Sequence, residues 1–201
     1  MAAVGSLPAR LEWRLVELER SCRGKRSVLR PTIGKSRLEL PLMLSIRAAT
    51  VDDVALLKSL ICELAEYERE RDQVVITEAD LARDGFGPEP KFRALIAEWD
   101  EQPAGYALFF GFYSTWEGRP GLFLEDLFVR QGFRGQGIGK ALLRKVAAIA
   151  QHENCYGMRW EVLDWNHPAI EFYKRLGAAF LDQWKSVLLT GEALERAGEA
   201  Q

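Results

Sequence analysis

The stretch RQGFRGQGIGKALLRKVAAIA, residues 130–150, places Gly135, Gly137 and Gly139 at alternate positions just ahead of an apolar-periodic run. Glycine is a poor helix former, so three of them at the start of a helix answer to something other than helix propensity. Ile138, Ala141, Leu142, Val146 and Ile149 recur at helical spacing, and the preceding run LFLEDLFVR reads as a strand. Strand, glycine turn and helix N-terminus together present unpaired backbone N–H groups and the positive end of a helix dipole, an arrangement that holds a phosphate. Glycine lets a ligand approach the backbone closely, and Arg134 adds a formal positive charge. Two nucleotide motifs are excluded by spacing. A Walker A loop needs Ser or Thr after its Gly-Lys and a glycine five residues before it; here Ala141 follows Lys140, and Arg134 stands upstream. A G-x-G-x-x-G fingerprint fails as well, because its third glycine falls on Leu142 or on Lys140.

Around this turn the chain reads as mixed α/β. MLSIRAAT (43–50) is a strand, and Thr50 caps a helix on which Val54, Leu57, Ile61, Leu64 and Ala65 share a face. TEADLARDGFG (77–87) is a short helix capped by Thr77, with Asp80 three residues on. KFRALIAEWD, PAGYALFFGFYSTW and GLFLEDLFVR, separated by the turns DEQPAG and EGRPG, form an antiparallel meander. The glycine-led helix runs to about His152. A strand GMRWEVLDW, a helix PAIEFYKRLGA and a final strand near QWKSVLL follow. The expected order is β-α-α-β-β-β-α-β-α-β, with a mostly antiparallel sheet flanked by helices.

Charge divides the chain near Met43. Residues 1–42 hold nine basic and four acidic side chains, leaving 18 basic and 25 acidic from Met43 onward. The expected organisation is a basic N-terminal extension (1–42), one domain (43–190) and a tail (191–201). The extension is either a flexible segment, with a short helix on Leu11, Leu15 and Leu18, or a stretch upstream of a true start at Met43. The overall charge of -2 gives no reason to expect nucleic acid as a partner. No apolar run reaches membrane-span length. Cys22, Cys62 and Cys155 are odd in number and widely spaced, which suits free thiols in a reducing cytoplasm and resembles no zinc site, so no metal is expected.

A second segment, DWNHPAIEFYKRLGA (164–178), sets Asn166 ahead of Pro168 in a first helical turn and Gly177 just past the end. Asn166 and Tyr173, seven apart, share a helical face. With Arg134-x-x-Gly137-x-Gly139, this segment resembles the GNAT superfamily of N-acetyltransferases, and the resemblance runs through residues 43–190. ELAEYERERDQVVITEADLARDGFG (63–87) brings it nearest to the spermidine/spermine (diamine) and thialysine acetyltransferase branch.

That resemblance implies the GNAT fold, acetyl-CoA as co-substrate, a small cationic amine as acceptor and a homodimer. It makes Glu125 the base, acting through water, and Tyr173 the general acid. Tyr67, Glu68, Glu125, Asp126 and Asp182 would receive the amine. The backbone of Leu127, Phe128 and Val129 would pair with the pantetheine arm. Arg134, Gly135, Gln136, Gly137, Ile138, Gly139 and Lys140 would hold the pyrophosphate, and Asn166, His167, Pro168, Ala169 and Tyr173 would flank the arm and thioester. The chemistry is coherent: an aliphatic ammonium, with pKa near 10, must lose a proton before it attacks, and a carboxylate at the cleft attracts the cation and accepts that proton. Strand alternation places Glu125 and Asp126 on opposite sheet faces unless a bulge intervenes. A shortened segment before QWKSVLL and the cations Arg93 and Arg159 depart from a polycation site, so thialysine, ornithine or lysine stands beside spermidine as acceptor. A non-catalytic acyl-CoA-binding module and a protein amine as acceptor are the alternatives.

Overall fold

The apolar alternation across residues 93–129 builds the centre of the sheet. In the computed structural model, which describes residues 44–199, β2 (Arg93–Trp99), β3 (Gln102–Ser114) and β4 (Arg119–Val129) form the antiparallel meander. The expected extension and its helix lie outside the described residues. β1 (Leu44–Ala48) adds antiparallel to β2, and β5 (Met158–Arg159) adds parallel to β4, giving the order β1-β2-β3-β4-β5. Only Asp100 and Glu101 separate β2 from β3, both at positive φ (49° and 63°), the backbone twist that a two-residue hairpin requires.

Helices cover both faces. α1 (Val54–Glu68) and α2 (Glu78–Phe86) bury Leu57, Leu60 and Leu81 against Ile96, Tyr106, Leu108 and Phe128. α3 (Ile138–His152) buries Ile138, Leu142 and Val146 against Leu95, Phe109, Leu122 and Leu124 on the other face. Both expected caps form. The Thr50 N–H donates to Asp53 Oδ2 at 2.8 Å, and Thr77 exchanges bonds with Asp80 at 3.0 and 3.1 Å. The first turn after Thr50, Val51–Asp53, is a 3₁₀ turn that leads into α1.

The β3–β4 ladder carries a bulge. Leu108 pairs with Asp126 and Phe109 with Leu124, so Glu125 is the extra residue. Alternation inverts across it. Leu122 and Leu124 face α3, and beyond the bulge Leu127 and Val129 pack on that side while Phe128 turns toward α1.

Two segments differ from the expected order. Of GMRWEVLDW only Met158 and Arg159 join the ladder, opposite Leu122 and Phe123, so among the described residues this edge of β4 has no strand partner past the bulge. QWKSVLL forms no strand: Val187 and Leu188 are 92% and 85% exposed, and its link to the segment after β5 is through a side chain, Ser186 Oγ to Glu161. A strand exists only where its backbone groups find partners. α4 (His167–Arg175) matches the expected helix, and α5 (Gly191–Gly198) stands where a tail was expected.

Candidate active site

Because β5 leaves β4 after two pairs, a cleft of about 550 Å³ opens beside residues 124–129 of β4. Its size suits a small-molecule site. The glycine turn and the start of α3 form one wall, the C-terminal turn of α1 a second, and α4 a third.

The turn has a stated backbone requirement. Gly135 and Gly137 adopt φ of 82° and 80°, and Gly137 is the N-cap of α3. An L side chain there costs roughly 1–2 kcal/mol. Gly139 is helical, and a Cβ at that position would come no nearer than 3.6 Å to Val129, so no contact among the described residues demands a glycine. The first bond of the helix runs from Ala141 N–H to the Gly137 carbonyl at 3.0 Å, leaving the preceding N–H groups without helical acceptors beside Lys140. Arg130 fixes the entry to the turn: it donates to both carboxylate oxygens of Glu63 on α1 (2.6 and 2.9 Å) and to the Pro103 carbonyl (2.8 Å). The Arg130 guanidinium holds the Glu63 carboxyl below its ordinary pKa. Arg134 crosses the cleft, donating to the Val129 carbonyl at 3.0 Å with its guanidinium 4.5 Å from the Tyr67 ring centroid.

Opposite the turn the cleft is acidic. Glu68 ends α1, Glu125 stands exposed on the bulge, and Asp126 is partly buried beside it. None of these three carboxylates makes an ion pair among the described residues. Burial, then Glu70, raises the pKa of Glu68. Asp126 is pushed up to about 6, chiefly by burial and further by Glu125 and Glu68, against a lowering hydrogen bond that Tyr106 Oη donates to Oδ2 at 2.9 Å. Tyr67 Oη donates to Asn166 Oδ1 at 3.1 Å, and the same oxygen accepts the Ala169 N–H at 3.4 Å as the cap of α4. Tyr173 is packed between Trp160 and Phe172, with both centroids at 5.2 Å, and burial, then Glu68, pushes its phenol up to about 12. The Tyr173 hydroxyl makes no hydrogen bond among the described residues.

Most of the sequence-identified residues therefore meet in one cleft. Tyr67, Glu68, Glu125 and Asp126 line it, as do Leu127, Phe128 and Val129; so do Arg134, Gly135, Gly137, Ile138, Gly139 and Lys140 from the turn, and Asn166, Pro168, Ala169 and Tyr173 from α4 and its cap. Gln136 and His167 belong to the same turns but lie outside the cleft lining, and Asp182 lies outside it and is exposed. Sequence reasoning missed Trp160 and Glu161, which line the cleft because their strand diverges, and Arg175, two residues past Tyr173. It also missed Tyr106, which strand alternation identifies only as core. No cluster of three or more His, Cys, Asp or Glu side chains among the described residues is placed to hold a metal, and no described helix is long and apolar enough to cross a membrane.

A bulged interior strand, a neighbouring strand that diverges from it and a glycine-capped helix beside the gap define an acyltransferase-type cleft, and the chain belongs to the acetyltransferase (GNAT) family, matched over residues 56–178. It is thus an acetyltransferase, from a family that uses acetyl-CoA as co-substrate. Among its relatives, thialysine N-epsilon-acetyltransferase of Sus scrofa is 43% identical over 166 residues, covering 77% of this chain and 97% of that protein. L-ornithine N5-acetyltransferase of Arabidopsis thaliana is 30% identical over 196 residues, covering 75% and 86%. In three dimensions the chain is similar to an integron cassette protein from the mobile metagenome of V. cholerae, with TM-score 0.66, 24% identity and coverage of 78% and 98%, a likeness of fold.

Proposed function

We propose that the enzyme transfers the acetyl group of acetyl-CoA to a primary amine of a small cationic acceptor, with thialysine the first candidate and ornithine, lysine, diamines and spermidine beside it. The observation that carries this reading is the trio Glu68, Glu125 and Asp126, which line one cleft and make no ion pair among the described residues. Uncompensated carboxylates in a partly desolvated site favour a cationic ligand.

The opposite end of the cleft suits the co-substrate. The α3 N-terminus with Gly135 to Lys140, and Arg134 once it releases Val129, would hold the pyrophosphate. The edge of β4 at Leu127 to Val129, with no described strand beside it, would take the pantetheine amides, and Asn166, Pro168 and Ala169 would flank the arm. Glu125 would accept the ammonium proton through water, freeing the lone pair that attacks the thioester carbonyl. When the tetrahedral intermediate collapses, the Tyr173 hydroxyl would donate to the departing sulfur; its raised pKa keeps it protonated across the neutral range. Tyr67, Glu68 and Asp126 would hold the amine, and Asp182 is given no part.

The test is thiol release from acetyl-CoA with thialysine, lysine, ornithine, putrescine, spermidine and a lysine-bearing peptide. Release that requires one free amine supports the reading and names the acceptor. Acetylation of the peptide alone would make the acceptor a protein, and coenzyme A binding without release would leave a non-catalytic module. We also infer a homodimer, supported by the exposed apolar row Trp184, Val187, Leu188 and Leu189, which a second copy would cover; a monomeric mass in light scattering would overturn it. The unpaired thiols Cys62 and Cys155 support a cytoplasmic location, which secretion of the native protein would contradict.

A further inference from the structure

We propose that Tyr106 is a positioning residue for the acceptor amine, holding the Asp126 carboxylate at the floor of the cleft through its hydroxyl. The inference rests on the reading above that Asp126 receives the amine.

Packing alone does not call for a tyrosine at this position. The ring is fully buried (0% exposed) in an apolar cluster with Leu57, Leu60, Ile96 and Phe128, which a phenylalanine would fill as well. A buried hydroxyl is costly unless it finds a partner, and among the described residues this one finds only Asp126 Oδ2, at 2.9 Å. The bulge makes that bond possible. Tyr106 pairs with Phe128 and Leu108 with Asp126, so tyrosine and aspartate are diagonal neighbours across the ladder. Without the extra residue at Glu125, alternation would send Asp126 to the face covered by α3.

Oδ1 of Asp126 makes no hydrogen bond or ion pair among the described residues, and the residue lines the cleft. One oxygen is thus committed to Tyr106 and the other is left for a ligand. The titratable groups around the pair are Glu125 on β4, Glu68 and Cys62 on α1, and Tyr173 on α4 across the cleft. Burial and the two glutamates favour protonated Asp126, and the Tyr106 hydrogen bond favours the anion. Removing the hydroxyl therefore raises the pH at which Asp126 gains its proton and loses its hold on an ammonium.

The experiment compares wild type, Tyr106→Phe, Asp126→Asn and the double variant in acetyl transfer to thialysine, or to the amine that replaces it in the acceptor panel, between pH 5 and 9. Tyr106→Phe is expected to raise the acceptor KM about three- to tenfold at pH 7, the scale of one lost hydrogen bond. It is also expected to move the acidic limb of kcat/KM up by roughly half to one pH unit, with acetyl-CoA KM unchanged. Asp126→Asn should raise the acceptor KM further and abolish that limb, and in its background Tyr106→Phe should add nothing. If Asp126→Asn acts on the acceptor while Tyr106→Phe changes neither KM nor the limb, Tyr106 only fills the core and the proposal falls. Equal losses from Tyr106→Phe in both backgrounds would also overturn it, as a general packing effect. If Asp126→Asn leaves acceptor KM unchanged, the failure belongs to the assignment of Asp126 to the acceptor site, and the proposal falls with it.

Discussion

The proposed general acid, Tyr173, is a buried phenol at the edge of the cleft. Its ring is held by Trp160 and Phe172, its hydroxyl faces a cleft rather than a fixed partner, and burial keeps the phenol neutral. Replacement by phenylalanine preserves the packing and removes the proton. Tyr173→Phe is expected to lower turnover roughly ten- to a thousandfold with acetyl-CoA binding nearly intact, the scale of a lost acid–base group. Unchanged turnover would remove Tyr173 from the mechanism. This residue was legible in the sequence because Asn166 and Tyr173 lie two helical turns apart in a motif with its own cap and stop. Tyr106 was not, because a tyrosine in an apolar strand reads as core until its neighbour across the ladder is known. Asp182 stands apart: an acid near the last helix reads as part of the site, and the chain carries it to an exposed position outside the cleft lining.

Among the elements, the turn from β4 into α3 shapes the end of the cleft proposed to hold the co-substrate. Its geometry is set by two residues in the left-handed region and by the Arg130 clamp onto Glu63 and Pro103. At Gly137, φ of 80° makes alanine strained by about 1–2 kcal/mol, and the strain relaxes by shifting the N–H groups that open α3. Gly137→Ala should accordingly raise acetyl-CoA KM about five- to thirtyfold, the equivalent of that strain, while acceptor KM at saturating acetyl-CoA changes little. An unaltered acetyl-CoA KM would show that the turn does not contact the co-substrate. The adjoining element, β5, is defined by where it stops. Two pairs anchor it to β4, and its departure leaves backbone groups that a ligand can meet.

At the scale of the whole molecule, the described residues are tied across their first elements by Arg47, which donates to both oxygens of Asp53 at 2.7 Å and to Glu98 at 2.9 Å. This joins β1 and β2 to the start of α1. The hydrogen bond from Arg47 lowers the Asp53 carboxyl to about 2, against roughly 3.9 in an unfolded chain. A depressed folded value stabilises the protein above the unfolded pKa, and that stability is lost as pH falls from about 4 through about 2. Asp53→Asn is expected to cost about 1–2 kcal/mol in urea unfolding at pH 7, with the gap to wild type closing toward pH 2. A gap independent of pH would assign the loss to the cap rather than to the charge.

The sequence by itself determined the meander, the capped helices, the glycine turn and the family, because each is written in local periodicity, capping pairs or a demand on φ within a few residues. It also named candidate side chains, most of which line one cleft. Tertiary structure alone decided that β5 parts from β4, that QWKSVLL finds no strand partner and that Glu125 is the bulged residue. It alone placed Asp126 under the hydroxyl of Tyr106. Those outcomes depend on which backbone groups and side chains meet between positions 15 to 36 residues apart in the chain, and no local pattern records that competition.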